Sequence, residues 1–115
     1  MHEWSLAASL INEAEAEARR RGALKVHSVT VRVGILTGVV PELLERAYEA
    51  AVPGSQLAEA RLILEVEPAL ARCPGCGRES EFEDFLLVCP ACGAIGLKPL
   101  SGEGLVLTHM EMEVP

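Results

Sequence analysis

Four cysteines in two matched pairs constrain this chain more than any other feature. They stand as Cys73-Pro-Gly-Cys76-Gly and Cys89-Pro-Ala-Cys92-Gly, with twelve residues between the pairs. A CxxC turn brings two thiolates onto one ion, and the glycine after each second cysteine lets the backbone fold under the sulfurs. Two such knuckles joined by a hairpin complete a tetrahedral four-sulfur site, the geometry of structural zinc. Four protein ligands leave no open position for water, so such a zinc ion folds the chain and does no chemistry. Residues 70–98 hold little apolar sequence apart from Phe85-Leu86-Leu87-Val88. Metal binding is therefore expected to supply much of that segment's folding free energy. The alternatives are weaker. Disulfides are rare in a cytoplasmic chain, two matched CxxC pairs exceed what a redox pair needs, and iron–sulfur clusters use other spacings.

The rest of the chain reads as a small α+β protein. Leu6, Leu10, Ile11, Ala14 and Ala18 recur at helical spacing, which predicts a helix over 4–21 with Gly22 as its C-cap. Val29, Val31, Val33 and Ile35 alternate with Thr30, Arg32 and Gly34, a strand over 26–35. Pro41 suits the first turn of a second helix, whose apolar face would be Leu43, Leu44, Ala47, Tyr48 and Ala51. A second strand runs over 61–67. A third covers 105–114, with Val106, Thr108, Met110, Met112 and Val114 alternating against Leu105, Leu107, His109, Glu111 and Glu113. The strand–helix–strand order from 26 to 67 predicts a crossover with parallel strands. The expected fold is thus a three-stranded mixed sheet with two helices, formed by residues 1–69 and 99–115. A zinc-ribbon-like module with two CxxC knuckles, residues 70–98, is inserted in it.

Composition narrows the function. Half the 115 residues are hydrophobic but only 3% are aromatic, so Leu, Val, Ile and Ala must build the core. The formal net charge is −7, and the sole basic cluster, Arg19-Arg20-Arg21, falls on a helix end where the dipole favours cations. No nucleic-acid partner is expected, because binders of phosphate need a basic stripe. No apolar run reaches the ~20 residues of a membrane helix, and the N-terminus lacks a signal-peptide pattern. A cytoplasmic location with no membrane partner is expected.

The chain opens Met1-His2-Glu3. With a free amine at Met1, the amine nitrogen, the His2 amide nitrogen and the His2 imidazole can close small chelate rings on one ion. The Glu3 amide or carboxylate supplies a fourth donor. Nitrogen donors in a plane suit nickel(II) or copper(II). A chance histidine near a terminus is the bland alternative. His27 and His109 read as ordinary strand residues.

Met1-His2-Glu3 with Ser5-Leu6-Ala7, the Val-Arg-Val-Gly-Ile strand at 31–35, Gly38-Val39, Pro41-Glu42, the two CPxCG knuckles and Ser101-Gly102-Glu103 together resemble the HypA/HybF family of hydrogenase nickel-incorporation proteins. The likeness covers essentially the whole chain. It implies a metallochaperone and not an enzyme, holding cargo nickel at Met1, His2 and Glu3 and structural zinc at Cys73, Cys76, Cys89 and Cys92. It also implies a GTPase partner, the [NiFe] hydrogenase large subunit as recipient, and a monomer or weak homodimer. Some relatives have an extra acidic ligand in the loop before the second helix. Val40 stands near that place here, Glu42 is the nearest carboxylate, and His109 is a further candidate. The competing reading is a zinc ribbon for protein recognition without a nickel role. A zinc enzyme would need an open metal position, and the four cysteines leave none.

Overall fold

The computed structural model describes residues 2–84 and 86–115, and for His2 the backbone alone. Phe85, part of the apolar stretch named above, lies outside the described residues. Helix α1 (His2–Arg20) buries Ala7, Leu10, Ile11, Ala14 and Ala18, a single stripe at helical spacing. It begins two residues earlier than expected, so His2 and Glu3 lie on its first turn. Trp4, despite its size, is 47% exposed; the buried stripe begins one turn further in, at Ala7. At the other end Gly22 takes φ +63°. Its N–H donates to the Arg19 carbonyl at 3.1 Å, and the Ala23 N–H to that of Ala18 at 2.9 Å. This is a Schellman stop, which needs a residue at ease with positive φ. Arg20 and Arg21 both pair with Glu17, holding its carboxyl below the usual range, Arg20 foremost. Two of the three arginines of the basic cluster are therefore partnered by a carboxylate one turn back.

Strand β1 (Lys25–Gly34) gives way to a short 3-10 turn (Ile35–Thr37), so Ile35 leaves the strand it was expected to end. Helix α2 (Pro41–Ala51) has Pro41 in its first turn and buries Leu44, Ala47 and Tyr48. Leu43, expected on the apolar face, is 41% exposed, one position off the buried stripe. The Tyr48 hydroxyl donates to the Ala60 carbonyl at 2.9 Å, tying the helix to the approach of β2 (Arg61–Glu67). Strand β6 (Leu105–Glu113) completes the first sheet, in the order β2-β1-β6. Strands β3 (Ala69–Arg72), β4 (Glu79–Phe82) and β5 (Lys98–Pro99) form a separate sheet.

Ion pairs and backbone bonds give the directions. Lys25 meets Glu59 and Arg32 meets Glu67, both at 3.7 Å, so β1 and β2 run parallel. The Leu24 N–H donates to the Glu113 carbonyl and the Gly34 N–H to that of Gly104, so β6 is antiparallel to β1. This is the expected mixed sheet. In β6 the half-buried positions are Leu105, Leu107, Met110 and Met112. The expected alternation therefore changes phase between Leu107 and Met110, and Thr108 and His109 are both exposed.

The chain separates into two compact units, Met1–Val31 with Val39–Glu65 and Val106–Pro115, and Arg32–Gly38 with Val66–Leu105. The second unit contains a small antiparallel sheet that the sequence pattern did not predict. Its strands are β3 (Ala69–Arg72), β4 (Glu79–Phe82) and β5 (Lys98–Pro99), in the order β4-β3-β5. Ala69 faces Phe82 and Arg72 faces Glu79, with an Arg72–Glu79 ion pair at 2.6 Å. Within this unit two glycine backbones cross. A Cβ on Gly34 would lie 2.1 Å from the Gly102 carbonyl oxygen, and Gly102 itself has φ +88° with Ala69 against it. Glycine inside a strand often marks such a close backbone approach. The Glu67 carboxylate accepts the Gly102 N–H at 3.0 Å and completes the crossing.

Candidate metal centre

The two cysteine knuckles are built alike, bond for bond. The Cys73 N–H donates to the Arg78 carbonyl, and the Gly77 N–H donates back to that of Cys73, both at 2.9 Å. In the second knuckle the Cys89 N–H donates to Ala94 at 2.9 Å and the Gly93 N–H to Cys89 at 2.8 Å. Each loop closes on a glycine with positive φ, +76° at Gly77 and +74° at Gly93. This is the physical content of the repeated CPxCG pattern. A side chain at either glycine would strain the turn that aims the sulfurs.

The four sulfur atoms lie within 4.8 Å of one another. Across the knuckles Cys73 Sγ is 3.5 Å from Cys92 Sγ, and Cys76 Sγ is 3.6 Å from Cys89 Sγ. A tetrahedron of thiolates about 2.3 Å from a central zinc has sulfur–sulfur edges of about 3.8 Å. The donor set and its spacing thus fit a tetrahedral thiophilic ion. Cys73 and Cys89 are buried and Cys76 and Cys92 exposed. The buried pair joins Ala71 and Leu97 in the unit's small core, with Phe82, Leu87 and Ala94 packed against it. Among the described residues, these cysteines are the one group of three or more His, Cys, Asp and Glu side chains placed to share an ion.

Backbone N–H groups prepare two of the thiols to ionise. The amides of Cys76 and Gly75 point at Cys73 and hold its thiol below the ordinary value, with the Cys76 amide the stronger. Cys92 and Ala91 do the same for Cys89, which falls to about 6. For Cys76 the largest single influence is the Arg78 N–H, which lowers it. The neighbouring sulfurs of Cys89 and Cys73, together with burial, outweigh that and leave the thiol raised. At Cys92 the Ala94 N–H is likewise overridden by Cys73 and Cys89, and the thiol rises to about 12. At neutral pH the metal-free site therefore keeps protons on Cys76 and Cys92, which a metal must displace. Binding of zinc or cobalt(II) should release at least about two protons at pH 7, those of Cys76 and Cys92, and tighten as pH rises. Calorimetry in buffers of different ionisation enthalpy measures this, and a proton count near zero would contradict it.

The structure places the expected cargo residues less completely. Met1 and the His2 side chain lie outside the described residues. Glu3 is half-buried on the first turn of α1. Glu42 is exposed on the first turn of α2, and His109 is exposed on β6. His27 Nε2 lies 3.1 Å from Glu113 Oε1, an ordinary partner for a strand histidine. Sequence reasoning missed the backbone donors to the sulfurs, although the duplicated CPxCG spacing carried their signal. It also missed Ala71 and Leu97 beneath the cysteines, which are too small or too isolated to form a pattern.

Comparison with known proteins adds the family. The sequence model of a family described as "HypA: Hydrogenase/urease nickel incorporation, metallochaperone, hypA" matches residues 1–112. The hydrogenase maturation factor HypA of Aquifex aeolicus is 40% identical over 114 residues, covering 99% of both chains. That of Nitrosospira multiformis is 42% identical over 112 residues, covering 97% of both. A solution structure of a HypA protein superposes with a TM-score of 0.70 at 27% identity, covering 97% of this chain and 96% of the other. The solution structure of the nickel metallochaperone HypA from Helicobacter pylori superposes at 0.71, covering 98% of both chains. At 24% identity that second likeness speaks for the fold alone.

Proposed function

This chain belongs to the HypA family of hydrogenase/urease nickel-incorporation metallochaperones, and from that membership we propose that it carries nickel(II) at its N-terminus and delivers it for [NiFe] hydrogenase maturation. The observation that carries this reading is the family match over residues 1–112, which begins on Met1-His2-Glu3. Residues 1–69 and 99–115 form the nickel-binding part and residues 70–98 the zinc-binding part. The protein acts as a carrier in the cytoplasm and not as an enzyme, as a monomer or weak homodimer. A GTPase of the maturation system and the hydrogenase large subunit receive the ion from it.

Local structure supports the N-terminal site. Helix α1 starts at His2, and the first four N–H groups of a helix have no intrahelical acceptor. The amides of His2 and Glu3 can therefore lose their protons to a metal without breaking the helix ladder. The negative charge this creates sits at the positive end of the helix dipole. The Met1 amine and His2 imidazole complete a nitrogen-rich set that suits nickel(II). A site built on the chain's end is also easy to dismantle, which a carrier requires. Glu42 and His109 are the candidates for any further donor. At the four cysteines the ion is zinc, because tetrahedral thiolate sites in closed CxxC knuckles favour it.

A deletion strain tests the function. Supplied with this chain, cells lacking their own copy should regain nickel in the hydrogenase large subunit. With His2→Ala they should regain less than a tenth of it at equal protein level. Full recovery with His2→Ala would remove the N-terminal site from the mechanism.

A further inference from the structure

We propose that Leu86, Val88 and Ile95, on the outside of the cysteine unit, form a docking surface for a partner segment that is apolar at its centre and rich in Lys or Arg at its rim. The unit is small and its core is sparse, yet it turns two large aliphatic side chains into water. Leu86 is 73% exposed and Ile95 77%. Exposed apolar groups gathered on one spot mark interaction sites, and the backbone gathers Leu86 and Ile95 about the half-buried Val88. The Val88 N–H donates to the Leu86 carbonyl at 3.2 Å, closing a tight turn around Leu87. Leu87 packs against the core beside the buried cysteines, while Leu86 and Val88 are left together at the turn's two ends. The Cys89 N–H bonds the Ala94 carbonyl, so the Val88–Cys89 peptide lies against the Ala94–Ile95 peptide. Ala94 packs inward, and Ile95 stands outward next to Val88.

Charge selects the occupant. Glu81, Glu83 and Asp84 are exposed immediately before Leu86, and no ion pair engages them among the described residues. Asp84 Oδ1 accepts the Leu86 N–H at 2.9 Å, which fixes a carboxylate at the edge of the apolar face. A second copy of this chain would bring the same acidic edge to a partner already carrying net charge −7, and the two would repel. Nucleic acid is opposed for the same reason. A segment with aliphatic residues flanked by Lys or Arg satisfies both the apolar face and its rim.

The test uses the full-length, zinc-loaded chain and a synthetic twelve-residue peptide with leucines at its centre and lysines at both ends. A control peptide replaces every lysine with glutamate. The lysine peptide should shift the amide NMR signals of residues 84–96, and the glutamate peptide should not. The double variant Leu86→Ser/Ile95→Ser should weaken binding about tenfold. Cobalt(II) substituted at the four thiolates should keep its wild-type absorption in that variant, which separates lost docking from lost folding. A single Asp84→Asn variant, which leaves the apolar face intact, should weaken binding and flatten its salt dependence. Unchanged affinity in the double variant, or signal changes spread over the acidic surface at large, would overturn the proposal.

Discussion

Replacing Cys89 with serine is expected to abolish metal binding at the four-sulfur site and to unfold the unit around it. Cys89 and Cys73 are two of the four buried residues in the apolar cluster beneath the site, alongside Ala71 and Leu97. Besides the cysteines that cluster offers one alanine and one leucine, and a fully buried aliphatic side chain contributes only about 1.5–3 kcal/mol. A structural zinc ion contributes apparent values of roughly 10–16 kcal/mol in small zinc-binding peptides. An ion held by the four sulfurs would therefore dominate the stability of this part of the chain. Zinc content should drop from one ion per chain to well under a tenth, and amide NMR signals of residues 69–99 should collapse to the unfolded range. Helices α1 and α2, whose core is their own, should keep their far-ultraviolet circular dichroism. A strong chelator should reproduce the effect on the unaltered chain. A folded, metal-free 69–99 segment would refute the account of how this unit is held together.

The second large effect is expected at Gly34→Ala. Its Cβ would fall 2.1 Å from the Gly102 carbonyl oxygen, and the obstacle is backbone, which no rotamer change can move. Relief requires β1 to separate from the 101–104 segment. That sacrifices the bonds from the Gly34 N–H to Gly104 and from the Leu36 N–H to Gly102, at 2.8 and 2.9 Å. A loss on the order of 2–4 kcal/mol follows, read as a lower urea midpoint. Gly102→Ala should cost a similar amount for two reasons, positive φ and a Cβ only 2.8 Å from Ala69 Cα. Gly22→Ala is a useful contrast. Its φ is positive too, but nothing lies within 4 Å of the added Cβ, so it should cost only about 1 kcal/mol.

Where the chain announces its structure, it does so through residues with one physical use. Gly22 ends α1 because positive φ suits little else, and Pro41 begins α2 because its missing N–H is needed nowhere. The alternation at Leu62 and Leu64 marks β2. The cysteine pairs were legible for the same reason, since few other arrangements use two CPxCG turns. The hidden parts lack contrast. Strand β3 is Ala69-Leu70-Ala71-Arg72, and its two fully buried residues are alanines, which leave no amphipathic signature. Strand β5 is two residues long and includes Pro99. The outward turn of Trp4, Leu43, Leu86 and Ile95 runs against their hydrophobicity, and a single sequence gives no sign of it. The proposed cargo site rests on donor chemistry at the terminus and on family resemblance; periodicity contributes nothing there.

Nickel(II) titration by calorimetry tests the central claim most directly, comparing the chain with a free Met1 amine against the same chain carrying a Gly-Ser extension. Zinc is quantified separately in both. The free-amine chain should bind one nickel ion with its zinc retained, and the extended chain should lose that binding or weaken it at least a hundredfold, about 2.7 kcal/mol. Equal nickel affinity in the two would contradict a site built on the terminal amine and the His2 and Glu3 donors, and would move the cargo elsewhere on the chain.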